Sequence, residues 1–152
     1  MHNPVNHPLR PMYRALAFLA GAYLVVFGIV GLIQTAGESF AGATGVRVLG
    51  QGSNLLWSII CLVLGALVLL AAVVGRNLDA EAHKYLGWTL LVIGSYELAM
   101  NRTDANIFGF TMSTVIVTYL LGLVLITASL YSKVEPPEQA GAPRPARESQ
   151  AA

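Results

Sequence analysis

The stretch LLWSIICLVLGALVLLAAVVG, residues 55–75, decides how this chain is read: twenty-one consecutive residues carry no charged side chain. A helix rising 1.5 Å per residue needs about 20 residues to cross about 30 Å of hydrocarbon. A soluble helix keeps one polar face, and this run has none, so it reads as a transmembrane helix. Outward from it, residues 15–34 and 107–131 are also uncharged and long enough to span. A fourth stretch, 85–100, is shorter and carries Glu97, yet it is needed to return the chain between the second and last spans. Composition agrees: 55% of the 152 residues are hydrophobic and 11% are charged, with a mean hydropathy of +0.63, whereas soluble domains are about 25% charged. The fold class expected is an all-α integral membrane four-helix bundle.

Basic residues near the span ends set the orientation. Arg10, Arg14, Arg76, Lys84, Lys133, Arg144 and Arg147 fall on one side, and Arg47 and Arg102 on the other. Seven against two puts both termini in the cytoplasm and makes the protein a multi-pass protein of the cytoplasmic (inner) membrane. Tyr13, Tyr85, Trp88 and Tyr131 would form the cytoplasmic aromatic belt, with Trp57, Phe108 and Phe110 at the outer interface. The first span exceeds the 7–15-residue core of a cleaved signal peptide, so it is read as an uncleaved anchor despite Ala41-Gly42-Ala43 beyond it. The organisation is thus a cytoplasmic segment 1–14, a transmembrane domain 15–133, and a Pro/Ala-rich tail 134–152 expected to be disordered.

Between the spans, residues 35–54 hold five glycines, and either Ser53 or Asn54 is placed to cap the second span. Gly75-Arg76-Asn77 reads as a helix stop, and residues 76–84 as a loop. Asp104 or Asn106 is placed to cap the fourth span. Inside lipid, burial does not drive helices together, so close contact between small residues has to contribute. Gly21, Gly28 and Gly31 lie on one face of the first span, Gly65 in the second, Gly87 and Gly94 in the third, and Gly122 in the fourth. The seven-residue interval of Gly21/Gly28 and Gly87/Gly94, with Leu-Gly at 64–65 and 121–122, is compatible with a duplicated hairpin or with packing alone.

Residues able to carry chemistry are few. Glu97 is the one ionisable residue within a span, and a charge at mid-membrane costs about 2.5–3.5 kcal/mol on insertion scales. Two readings stand: an interfacial carboxylate paired with water, Arg102, Arg47 or the threonines of the last span, or a proton or cation site. Arg102, Asp104, Asn106 and Arg47 are its candidate companions at the outer end. His2 and His7 lack the acidic or thiol companions of a metal site, and His83 reads as a loop residue. Tyr23 and Tyr119 near mid-membrane suit packing or a hydrogen bond to lipid or quinone. One cysteine, Cys61, allows no disulfide or cysteine cage, and no span holds a histidine pair for haem. No phosphate loop, nucleophile elbow or zinc-protease motif occurs, so no cofactor and no enzymatic activity are expected. A net charge of +1 gives no support to nucleic-acid binding. Membrane lipids, a membrane-protein partner or further copies of the chain are the expected partners.

Asn6-His7-Pro8-Leu9-Arg10-Pro11 with Tyr13-Arg14, Val26-Phe27-Gly28-Ile29-Val30-Gly31, Val48-Leu49-Gly50, Gly75-Arg76-Asn77, Thr103-Asp104-Ala105-Asn106 and Gly122-Leu123-Val124-Leu125 occur in that order. Taken together they resemble a family of small actinobacterial membrane proteins, domain of unknown function 4383, over about residues 6–133. The resemblance implies a four-span inner-membrane protein, carries over no catalytic residues and leaves Glu97 outside its motifs. Function is expected to be that of a non-enzymatic structural or accessory subunit of a membrane or envelope assembly. The alternative is a small transporter or ion/proton pathway using Glu97.

Overall fold

A computed structural model describes residues 5–135. In chain order the elements are α1 (Arg10–Gln34), β1 (Arg47–Val48), β2 (Gln51–Gly52), α2 (Leu55–Val74), α3 (Leu78–Met100) and α4 (Met112–Tyr131). Apart from the small antiparallel β1–β2 hairpin, the architecture is helical. Three helices, α1, α2 and α4, are long and apolar enough to cross a membrane. Helix α3 has 23 residues, about 34 Å at 1.5 Å each.

The helix ends differ from the expected ones for local reasons. Helix α1 starts at Arg10 rather than 15, with Pro11 in its first turn, where a missing N–H removes no bond. Helix α3 starts at Leu78 rather than 85, because Gly75, Arg76 and Asn77 all take positive φ (63°, 52° and 67°) and reverse the chain within three residues. Residues 78–84 are therefore helix, not loop. Helix α4 starts at Met112 rather than 107, and neither Asp104 nor Asn106 caps it. Thr111 does, in a reciprocal capping box with Thr114. For α2, Asn54 is the cap: its Oδ1 accepts from the Trp57 N–H at 2.9 Å.

Helix α1 packs chiefly on α2 and α3 chiefly on α4; α1 also meets α4, and α2 meets α3. Within each hairpin the backbones approach at glycine. A Cβ on Gly28 would lie 2.7 Å from Leu62 N, and one on Gly65 2.7 Å from Val25 N and 2.8 Å from Gly21 O. In the second hairpin a Cβ on Gly87 would lie 2.8 Å from Gly122 O, and one on Gly122 3.0 Å from Gly87 O. Gly21 faces Val68 and Leu69, and Gly31 faces Ser58. Gly94 is different: a Cβ there would meet the Tyr119 ring at an ordinary 3.5 Å.

Helix α3 turns its ionisable side chains Asp79, His83 and Glu97 inward, alongside small residues and Leu90, and several large apolar side chains outward. Asp79, His83 and Glu97 are fully buried, while Tyr85, Trp88, Val92 and Leu98 are exposed. Of the residues assigned to aromatic belts, only some point outward. Trp57 and Phe110 are buried and pack edge to face at 4.7 Å, and Tyr13 stacks on Tyr131 at 4.5 Å. These rings join elements to one another.

The segments outside the helices are tied down. Leu49 and Gly50, with φ of 49° and 80°, make the tight turn between β1 and β2. Gln51 Nε2 donates to the Tyr23 hydroxyl, and Thr44 Oγ1 to Ser53 O at 3.0 Å. Past α4, residues 134 and 135 hydrogen-bond back to the body of the fold. The Asn77 side chain exchanges two hydrogen bonds with the Val134 backbone, at 2.8 and 2.7 Å, and Asn6 does the same with Glu135, at 2.7 and 3.2 Å. The remainder of the predicted tail, 136–152, and His2 lie outside the described residues. His7 Nδ1 accepts from the Leu9 N–H at 3.2 Å.

Candidate functional site

Two asparagines, Asn54 and Asn106, organise the loop end of the bundle. Asn54 is fully buried; besides capping α2, its Nδ2 donates to Gly42 O at 2.9 Å and Ile107 O at 2.8 Å. Ile107 O also accepts from the Gly42 N–H at 2.8 Å. One side chain thus joins the 35–54 loop to the 101–111 segment. Asn106 does the equivalent within the second segment: its Oδ1 accepts from Phe110 N–H at 2.8 Å, and its Nδ2 donates to Phe110 O at 2.9 Å. That grip holds 107–111 out of helix.

Glu97, near the end of α3, is fully buried. Its Oε1 accepts from the Phe108 N–H at 3.1 Å, and its Oε2 has no hydrogen-bond partner among the described residues. The partner is therefore main chain of the neighbouring segment, not Arg47, Arg102 or a threonine of α4. A buried carboxylate oxygen without a donor is costly as an anion. Arg102 and Asp104 are exposed in the turn after α3, and Arg47 lies in β1, exposed to solvent. The five candidates are thus split: Glu97 and Asn106 are inside, Arg47 is beside Asn106 on an open cleft, and Arg102 and Asp104 stand apart.

At the opposite end is a second polar cluster that the sequence reading left in a loop. Asp79 is fully buried, with Oδ2 3.2 Å from Arg10 Nη2 and 3.4 Å from Arg14 Nε. Arg10 Nε donates to Ser132 O at 2.7 Å, and Arg14 Nη2 to Ala72 O at 2.5 Å. Two guanidiniums near the start of α1 thereby reach the carbonyl ends of α2 and α4 and the first turn of α3. Those carbonyls have no partner within their own helices and carry partial negative charge, so forked donors suit them. One turn along α3, His83 Nε2 donates to Val68 O at 3.1 Å, and its Nδ1 is buried without a partner among the described residues. The signal was present in the spacing: 79, 83, 87, 90, 94 and 97 step by three and four, so the glycine stripe of α3 runs back through His83 to Asp79.

No family profile, no curated protein and no solved structure matches this chain.

Proposed function

We propose that this chain is a non-enzymatic four-pass protein of the cytoplasmic membrane, with both termini cytoplasmic, that serves as a structural or accessory subunit of a membrane or envelope assembly. The observation that carries the reading is where the buried polar groups go. Asp79, Asn54 and Thr114 each bond to another element of the same fold and Asn106 bonds within its own segment, leaving a bundle whose helices expose large apolar side chains. The inside-out pattern of α3 supports counting it as a pass, since averaging its inner carboxylates with its outer aromatics hides a lipid-suited face. Gentle detergent extraction from native membranes followed by native mass spectrometry tests the role. A stoichiometric protein partner is the expected result, and a homogeneous lone species overturns it. Topology is tested separately with single cysteines in a Cys61→Ala background. An impermeant maleimide added to intact cells labels Asp104→Cys and spares Arg76→Cys; the reverse pattern overturns the orientation.

A second reading has its own observation, the unpartnered Oε2 of Glu97: a small transporter or proton pathway in which this carboxyl takes up and releases the ion. Glu97→Gln then abolishes flux in proteoliposomes, and a variant as active as wild type removes the reading.

A further inference from the structure

Between the β1–β2 hairpin and the 101–112 segment lies an open cleft of about 330 Å³, at the lower end of the range of small-molecule sites, about 300–1,000 Å³. Its walls are braced to each other. The Gly52 N–H donates to Thr111 Oγ1 at 3.0 Å, and Thr114 Oγ1 donates to Gly52 O at 2.9 Å. Asn106 is locked on Phe110 from both sides of its amide. A cleft walled by cross-bonded segments is formed before any ligand arrives, which lowers the ordering cost of binding.

The lining has a definite chemical character. Val46 and Met112 supply apolar wall, and Asn101 and Asn106 supply amides. The amide N–H groups are engaged: Asn101 Nδ2 donates to Phe110 O at 2.9 Å, and Asn106 Nδ2 to Asn101 O at 3.2 Å as well as to Phe110 O. Arg47 is the exception. Its guanidinium forms no hydrogen bond or ion pair within the described residues, although it lines the same cleft. A fork of free donors beside an apolar wall selects a ligand with an anionic head of planar, two-oxygen geometry and a short apolar body.

We propose that the loop end of this protein holds a binding site for small organic carboxylates, with Arg47 gripping the carboxylate and Val46 and Met112 receiving the hydrocarbon part. The inference goes beyond the accessory reading, which assigns no ligand, and does not depend on it. The test uses the full chain in nanodiscs of phosphatidylcholine. Ligand-observed NMR titrations are run with butyrate, benzoate, inorganic phosphate and benzylammonium. Butyrate and benzoate bind saturably and benzylammonium does not. Arg47→Gln weakens both carboxylates about tenfold or more, the scale of losing a charge-assisted hydrogen bond, and Ala43→Phe, which fills the cleft from its rim, weakens them too. Arg47 is exposed, so its variant keeps the wild-type unfolding midpoint. Failure of both carboxylates to saturate overturns the proposal, as does unchanged affinity in Arg47→Gln. Saturation by phosphate alone overturns the carboxylate assignment.

Discussion

Replacing Gly28 by alanine tests what holds α1 against α2. The added methyl carbon would sit 2.7 Å from the backbone nitrogen of Leu62 and 2.9 Å from its Cα. Neither atom is the free end of a flexible side chain, so the helices themselves must move. Restoring a 3.4 Å contact takes a displacement of about 0.7 Å, and a gap of 0.5–1 Å forfeits about a quarter to a half of each van der Waals well along the seam. Gly21, Gly31 and Gly65 lie on that seam and lose contact together. The expected cost is that of overpacking, about 1–3 kcal/mol. Gly94→Ala is the internal control: its methyl meets the Tyr119 ring at 3.5 Å, nothing has to shift, and the helix gains up to about 1 kcal/mol of propensity. Unfolding in mixed micelles titrated with sodium dodecyl sulfate reads both variants, with helicity followed by circular dichroism. Gly28→Ala is expected to unfold at a lower detergent fraction than wild type, and Gly94→Ala at the same fraction or a higher one. A Gly28→Ala protein as stable as wild type, or equal losses in the two variants, would refute the reasoning.

Two further perturbations address the ends of the bundle. Asn54→Asp keeps the acceptor that caps α2 but loses the donors to Gly42 O and Ile107 O, whereas Asn54→Ala loses both functions. Alanine should cost about 2–4 kcal/mol, combining a lost cap with unsatisfied buried carbonyls, and aspartate less; hydrogen exchange should rise in the 35–54 loop in both variants, and an unchanged exchange pattern would count against the Asn54 bridge. Asp79→Asn removes the charge facing Arg10 and Arg14. Because the arginine side chains are 22% and 32% exposed, solvent screens part of the effect, and a loss of about 1–3 kcal/mol is expected, measured in the same unfolding titration; no loss would show that the carbonyl bonds of the arginines suffice.

How legible all this was depends on the range of the interaction. The charge-free runs are a local property, and the helices over 55–74 and 15–34 follow from them directly. The cap at Asn54 is equally local. What the pattern missed begins where an element depends on contacts elsewhere in the chain. The start of α3 was hidden because Asp79, Glu81, His83 and Lys84 look like a solvated loop until α1 supplies arginines for Asp79 and α2 a carbonyl for His83. Residues 107–111 look like the first turn of an apolar helix, and a single side chain, Asn106, keeps them extended enough for Thr111 to become the cap. Glu97 was recognisable as unusual, but its partner is a backbone N–H eleven residues away, which no residue type announces. The inner face of α3 was readable in principle, since its polar and glycine positions share one helical period.

The two kinds of contact divide the bundle by physical role. Inside each hairpin, α1 against α2 and α3 against α4, glycine brings backbones together and dispersion holds them. Between the hairpins, the two ends carry ring contacts, Tyr13 on Tyr131 and Trp57 on Phe110, together with a set of polar connections: Arg10 to Asp79 and to Ser132 O, His83 to Val68 O, Asn54 and the Gly42 N–H to Ile107 O, and Thr114 to Gly52 O. In lipid the apolar faces of two finished hairpins gain little by meeting, because hydrocarbon solvates them about as well as another helix does. A buried carboxylate or an unpaired carbonyl has no such substitute, so polar groups at the ends fix which hairpin faces which and in what register. Close packing by small residues therefore sets the stability of each hairpin, and the polar ends set the arrangement of the pair. Glycine and end-group variants should fail differently for that reason, the first by loosening a helix pair and the second by letting two intact pairs slide or part.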